Sequence, residues 1–177
     1  MCKRFKMKRQ HLSKLAVLAA LLVIQSCNQG YTVSINNQAI YDPTGRLSSS
    51  QVADPDLQGC INLALWQQDV GTAAELTVLS CANAEISDLG NIAQLSQLRF
   101  LDLGSNNVSN ITPLEQLKLL GGLNLADNAI IDIGPLFNIA SLASVSLLGN
   151  DDIPCAQLAL LRERLGDNLT PPERCKN

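Results

Sequence analysis

Residues 98–119 read LRFLDLGSNNVSNITPLEQLKL, and the same spacing of apolar residues returns at once in 120–141, LGGLNLADNAIIDIGPLFNIAS. Sliding the chain by 22 residues also aligns 76–97, LTVLSCANAEISDLGNIAQLSQ, and the opening of a fourth unit at 142–150, LASVSLLGN. Positions one, four, six, eleven, fourteen, seventeen and twenty of the first unit are Leu76, Leu79, Cys81, Ile86, Leu89, Ile92 and Leu95. The later units put Leu, Val or Ile in every equivalent slot. All 24 such positions are apolar in a chain that is 46% apolar, a match that chance would produce with a frequency on the order of 10⁻⁸. The period is therefore structural, and a period of this length signals a solenoid whose units cover one another's apolar faces.

The pattern inside one unit predicts its path. Leu101 and Leu103 alternate along a strand and face inward, Leu98 enters just ahead of them, and Ile111, Leu114 and Leu117 point inward from the return. About 13 residues remain for that return, too few for a full convex helix, and Pro113 and Pro135 favour a short 3₁₀ or extended turn. The expected fold is an α/β solenoid, a right-handed coil with a parallel sheet on its concave face. Asn106, Asn128 and Asn150 recur at position nine, where a stacked amide supplies both a donor and an acceptor to buried turn backbone. The first unit has Ala84 there, with Asn83 as a substitute if the turn slips by one residue.

LRFLDLGSNNVSNI and LGGLNLADNAIIDI resemble leucine-rich repeats, of the 22-residue kind found in bacterial internalins, and the resemblance covers about residues 54–177. It implies a module that binds proteins on the concave face. Strand alternation puts Val78, Ser80 and Ala82, Phe100, Asp102 and Gly104, Gly122, Asn124 and Ala126, and Ser144, Ser146 and Leu148 on that face. Phe100 is the only ring among these positions and Asp102 the only charge, so Phe100 is the candidate anchor. Asp102, Asn124 and Ser146, in the neighbouring row, are the candidates to orient a polar ligand.

Both ends of the repeat array need a cover. At the front, Asp54 suits a helix cap and Pro55 a first helical position, and Leu57, Cys60, Ile61, Ala64 and Leu65 recur at helical spacing until about Asp69 to Gly71. Thr72 and Glu75 then have capping-box spacing for one further turn. At the back, DDIPCAQLALLRERLG places Leu158, Leu161 and Leu165 on one helical face, with Gly166 as the stop. The domain thus divides into a front cap at 54–75, repeats at 76–150 and a rear cap at 151–177. Relatives with a similar Cys-bearing ending support the rear cap by resemblance.

The leader sets the compartment. Residues 1–26 hold Lys3, Arg4, Lys6, Lys8, Arg9 and Lys14 without any acid, then the uncharged run Leu15 to Ile24. Ten residues fall well short of the roughly 20 that span a bilayer, so the stretch reads as a signal peptide. Val23-Ile24-Gln25-Ser26-Cys27 resembles the lipobox of bacterial lipoproteins, which implies a lipid on Cys27 and, with Asn28 next, the outer membrane of a Gram-negative cell. Gln25 departs from the small residue usual in that slot. Residues 27–53, polar and rich in Gly, Pro and Ser, read as a flexible tether spanning about 28 Å, with a short added strand as the alternative.

In an exported chain the four remaining cysteines should oxidise. Cys60 lies 21 residues before Cys81 at the front, and Cys155 lies 20 before Cys175 at the back. Position thus favours Cys60 with Cys81 and Cys155 with Cys175, each loop contributing roughly 3 kcal/mol in the chain-entropy picture. Zinc held by four thiolates is the rival, with no CxxC spacing to support it.

Composition excludes much else. Beyond the leader, 7 bases face 16 acids, and aromatic residues make up 3% of the chain, so the basic stacking surface of nucleic-acid binders is missing. The only histidine, His11, lies in the leader, and no P-loop, GxGxxG or metal motif occurs. The reading is a monomeric, non-enzymatic, cofactor-free module of the cell envelope that binds a protein or an envelope polymer and reaches the membrane through its N-terminal lipid. A purely structural envelope protein is one alternative. A cytoplasmic regulator, resembling the phosphatase-binding proteins with 22-residue repeats, is the other and would require an uncleaved leader.

Overall fold

The computed structural model describes residues 33–35, 38–41 and 52–176. Cys27 and the leader lie outside these residues. Inside the segment expected to be a tether, strands β1 (Val33–Ile35) and β2 (Gln38–Tyr41) pair antiparallel. β2 packs against helix α1 (Pro55–Gln67), so this part of the segment is not open coil. The alternation at Val33 and Ile35 is the local signal for the hairpin. The chain docks on the domain by Val52, which is buried, and by the Ala53 N–H, which donates to Gly90 O at 3.0 Å.

α1 begins where Asp54 caps it: Oδ1 accepts the N–H groups of Asp56 and Leu57 at 2.9 and 3.1 Å. Its buried residues are Leu57, Ile61, Ala64 and Leu65 on one face and Gly59 on the other side. After it, a 3₁₀ turn at Ala73–Glu75 follows Thr72, but no capping box closes. The Thr72 hydroxyl donates to the Glu75 carboxylate at 2.7 Å instead of serving the backbone, because the three-residue turn is too short to present an α-helical N3 amide.

Each repeat then contributes one three-residue strand: β3 (Val78–Ser80), β4 (Phe100–Asp102), β5 (Gly122–Asn124) and β6 (Ser144–Ser146). They pair in parallel and without slippage, so Leu79, Leu101, Leu123 and Val145 stack in one line. All 24 repeat positions named by the period are buried, which is what a coil with one shared apolar axis requires. The return paths are 3₁₀ turns at Ile92–Gln94, Thr112–Gln116 and Gly134–Asn138, and Pro113 and Pro135 stand near the start of the last two.

A fifth strand, β7 (Leu169–Thr170), extends the sheet beyond the repeats, with Leu169 beside Val145 and Thr170 beside Ser146. It follows helix α2 (Cys155–Leu165), whose Leu158, Leu161 and Leu165 are buried, and Gly166, at φ +57°, ends that helix. The rear cap also bonds to the backbone of the third coil. Arg164 donates to Leu136 O and Phe137 O at 3.0 and 3.2 Å, and Gln157 Oε1 accepts the Ile133 N–H at 3.0 Å.

Candidate interaction surface

Position eight of every coil adopts a left-handed conformation, at Asn83, Ser105, Asp127 and Gly149, with φ of 56°, 56°, 53° and 77°. This reversal turns the chain out of the strand and delivers position nine inward. Asn106 is 8% exposed; its Oδ1 accepts from Ala84 N and Ile86 N, both at 3.0 Å, and its Nδ2 donates to Cys81 O and Leu103 O, both at 2.9 Å. Asn128 takes the Val108 N–H at 2.9 Å, and Asn150 takes the Ile130 N–H at 3.1 Å. Each amide therefore reaches back into the preceding coil. The turn of the first coil is served by Asn106, at Ala84, and an asparagine at position 84 would have no earlier coil to reach back to. Asn83 is not a substitute: it occupies the exposed left-handed position, one residue short of the core.

Two further polar ladders share the period. At position thirteen, Asp88, Asn110 and Asp132 each accept the N–H two residues on, from Gly90, Thr112 and Gly134, at 2.8, 3.0 and 2.9 Å. Such turns fix the start of the 3₁₀ return. At position five, on the concave face, Asp102 Oδ1 accepts the Gly104 N–H at 2.9 Å and the Asn124 Nδ2 at 2.8 Å, while Asn124 Oδ1 accepts the Ala126 N–H at 3.1 Å. Ser80 donates to Asp102 Oδ2 at 3.4 Å. The carboxylate and amide thus close the ends of their own strands and link adjacent coils. Ser146 continues this row, in register with Asn124 and Thr170. Gly104 is buried, not a surface position, and a Cβ there would lie 2.9 Å from Asn124 Nδ2.

The parallel row is Val78, Phe100, Gly122 and Ser144. Val78 and Phe100 are 47% and 42% exposed, side by side on adjacent strands. Gly122 makes room for the ring: a Cβ there would lie 2.8 Å from Phe100 Cδ2. Phe100 therefore leans across the next strand and keeps nearly half of its surface open. It is at once packed and available.

The caps are locked covalently. Cys60 is bonded to Cys81 and Cys155 to Cys175, with Cα–Cα distances of 5.8 and 5.5 Å, the two pairs that position favoured. The first joins α1 to the residue following β3, and the second joins the start of α2 to the 3₁₀ turn Glu173–Cys175. Asp54 adds a second clasp that the sequence reading did not include. Besides capping α1, its Oδ2 accepts the N–H groups of Ser87 and Asp88 at 2.9 and 3.1 Å. Burial pushes this carboxyl up, but the N–H groups of Ser87, Leu57, Asp88 and Asp56 outweigh it and hold the group below the ordinary carboxylate range.

In-register strands, an inward-turned asparagine at position nine and a 22-residue apolar period define a leucine-rich-repeat fold. A family model for leucine-rich repeats in two copies matches residues 74–116, and the fold is of the internalin-like type. Internalin C2 from Listeria monocytogenes is similar at 22% identity over 56% of this chain and 46% of its own, with a TM-score of 0.51. An internalin F from the same organism matches at 20% identity over 58% and 42%, with a TM-score of 0.39. The functional domain of InlJ from Listeria monocytogenes, described as including a cysteine ladder, matches at 22% over 60% and 35%, with a TM-score of 0.32. This chain thus spans less than half the length of each of these. No curated protein matches it in sequence.

Proposed function

We propose that the protein is a non-enzymatic module of the bacterial cell envelope, anchored by a lipid on Cys27 at the outer membrane, that binds a partner protein through Val78 and Phe100. The carrying observation is the adjacency of these two exposed apolar side chains on neighbouring strands. A large ring with part of its surface already immobilised loses little freedom on binding, which is the property of an interface anchor. The hydrogen bonds of Asp102 and Asn124 favour a protein over an envelope polymer, because much of the polar capacity of that row is spent on its own turns. Two disulfides agree with an exported domain and weigh against a cytoplasmic regulator.

The test is a photoreactive residue in place of Phe100, activated in native envelopes. A discrete protein adduct that unlabelled domain competes away supports the proposal. An adduct with polymer moves the reading to an envelope-polymer binder, and no saturable adduct leaves a purely structural protein.

A further inference from the structure

The repeats at 76–150 carry two bases, Arg99 and Lys118, against six acids. The coil sorts the signs. Glu85, Asp88, Asp127 and Asp132 lie beyond the C-terminal ends of β3 and β5, whereas Arg99 directly precedes β4 and Lys118 stands four residues ahead of β5. The other two acids are engaged: Asp102 accepts from Gly104 and Asn124, and Glu115 Oε1 accepts the Asn138 Nδ2 at 2.9 Å. Large exposed apolar side chains gather at the basic edge: Val78 and Phe100 open β3 and β4, and Leu119, 40% exposed, lies three residues ahead of β5.

Arg99 is fixed at its backbone and unspent at its tip. Its N–H donates to Thr77 O at 2.8 Å, and its carbonyl accepts the N–H groups of Gly121 and Gly122 at 2.9 and 3.0 Å. Among the described residues its exposed guanidinium has neither hydrogen bond nor ion pair, and Lys118 Nζ donates once, to Glu115 O at 2.6 Å. Phe100 fills the space over Gly122, but the space over Gly121 is open. Beyond the chain neighbours, a Cβ there would meet nothing nearer than the carbonyl oxygens of Arg99 and Ser141, both at 3.7 Å, which leaves room for a side chain that this chain does not supply.

We propose that this edge recognises a carboxylate: a linear segment of the partner protein sets an apolar side chain against Val78 and Phe100 and, beside it, an Asp or Glu that pairs with Arg99, with Lys118 adding charge from the next coil. This rests on the concave-face binding proposed above and names the chemistry of its partner. A guanidinium with all its donors unspent can meet a carboxylate through two parallel hydrogen bonds, which fixes orientation as well as charge. The chain beyond the leader carries 7 bases against 16 acids, so a polyacidic tract is repelled at range. The fit is therefore to a single acid beside an apolar residue.

A phage-displayed library of random linear peptides, panned on the full chain with its disulfides intact, supplies the probe. Peptides that bind the wild type and lose binding to Phe100→Ala should share an Asp or Glu next to an aromatic or aliphatic residue. They should bind Arg99→Glu at least about tenfold more weakly, while that variant melts like the wild type by circular dichroism. Replacing the acid by Lys in a synthetic peptide should weaken binding to the wild type and restore it to Arg99→Glu, an exchange that marks a direct ion pair. Phe100-dependent peptides that lack an acid, or that bind Arg99→Glu as tightly as the wild type, overturn the carboxylate site and leave the apolar anchor standing. A library that yields no Phe100-dependent peptide overturns the docking of a linear segment altogether. Self-association of the chain that Arg99→Glu abolishes gives the edge to a second copy and overturns the partner segment.

Discussion

Asp54 Oδ2 accepts the backbone N–H of Ser87 at 2.9 Å across 33 residues of sequence, so one carboxylate joins the capping helix to the return path of the first coil. Asp54→Asn separates its two tasks. The amide oxygen still caps α1, and Asn is ordinarily as good a cap as Asp, but the amide nitrogen meets the donors of Ser87 and Asp88. Denaturant unfolding should show a loss of at least about 2 kcal/mol, because buried donors are left unmade. A loss of a few tenths would reduce Asp54 to an ordinary cap.

The same carboxylate makes stability depend on acid. Its folded pKa lies below the unfolded value of about 3.9, so it stabilises the domain fully above that value and the contribution disappears as the pH falls through the folded value. Thermal melts of wild type and Asp54→Asn should differ at neutral pH and converge only once the pH has fallen through the lowered folded value. A difference that persists unchanged into strong acid contradicts this origin.

Asn106 separates amide from shape. Asn106→Asp keeps one acceptor for Ala84 and Ile86 but turns an oxygen on the carbonyls of Cys81 and Leu103. It should cost at least as much as Asn106→Ala, about 2 kcal/mol or more by equilibrium unfolding. A tolerated Asp would mean that water enters the turn.

Leu123 is 3% exposed between Leu101 and Val145 in the central line of the sheet. Leu123→Ala should cost roughly 2 to 5 kcal/mol, and with so few coils to absorb it, unfolding should lose cooperativity. A change under about 1 kcal/mol would contradict the packing.

Much of this was written in the period. The repeat gives the apolar core between the caps, the sheet register and the asparagine ladder, because a solenoid forces equivalent residues into equivalent places. The ladder of Asp88, Asn110 and Asp132 was equally legible, since it recurs every 22 residues, but reading only apolar slots passes over it. β7 was not legible: Leu169 and Thr170 lie outside the repeat, and two residues carry no alternation. The second role of Asp54 depends on a contact far along the chain, and a capping signal reports only its near neighbours. At the candidate site, alternation correctly put Phe100, Asp102, Asn124 and Ser146 on the outward rows. It could not show that Gly122 lets the ring of Phe100 lean over, or that Asp102 and Asn124 bond to their own turns.

The most direct measurement compares Phe100→Ala with Ile131→Ala, which removes an exposed apolar side chain outside the sheet. Partner capture and melting temperature are read on the same samples. Phe100→Ala should weaken capture at least about tenfold, about 1.4 kcal/mol, with a smaller change in folding stability, while Ile131→Ala leaves capture unchanged. Undiminished capture by Phe100→Ala, with the melting temperature lowered, would show that the ring serves packing alone and that the concave row is not the binding surface.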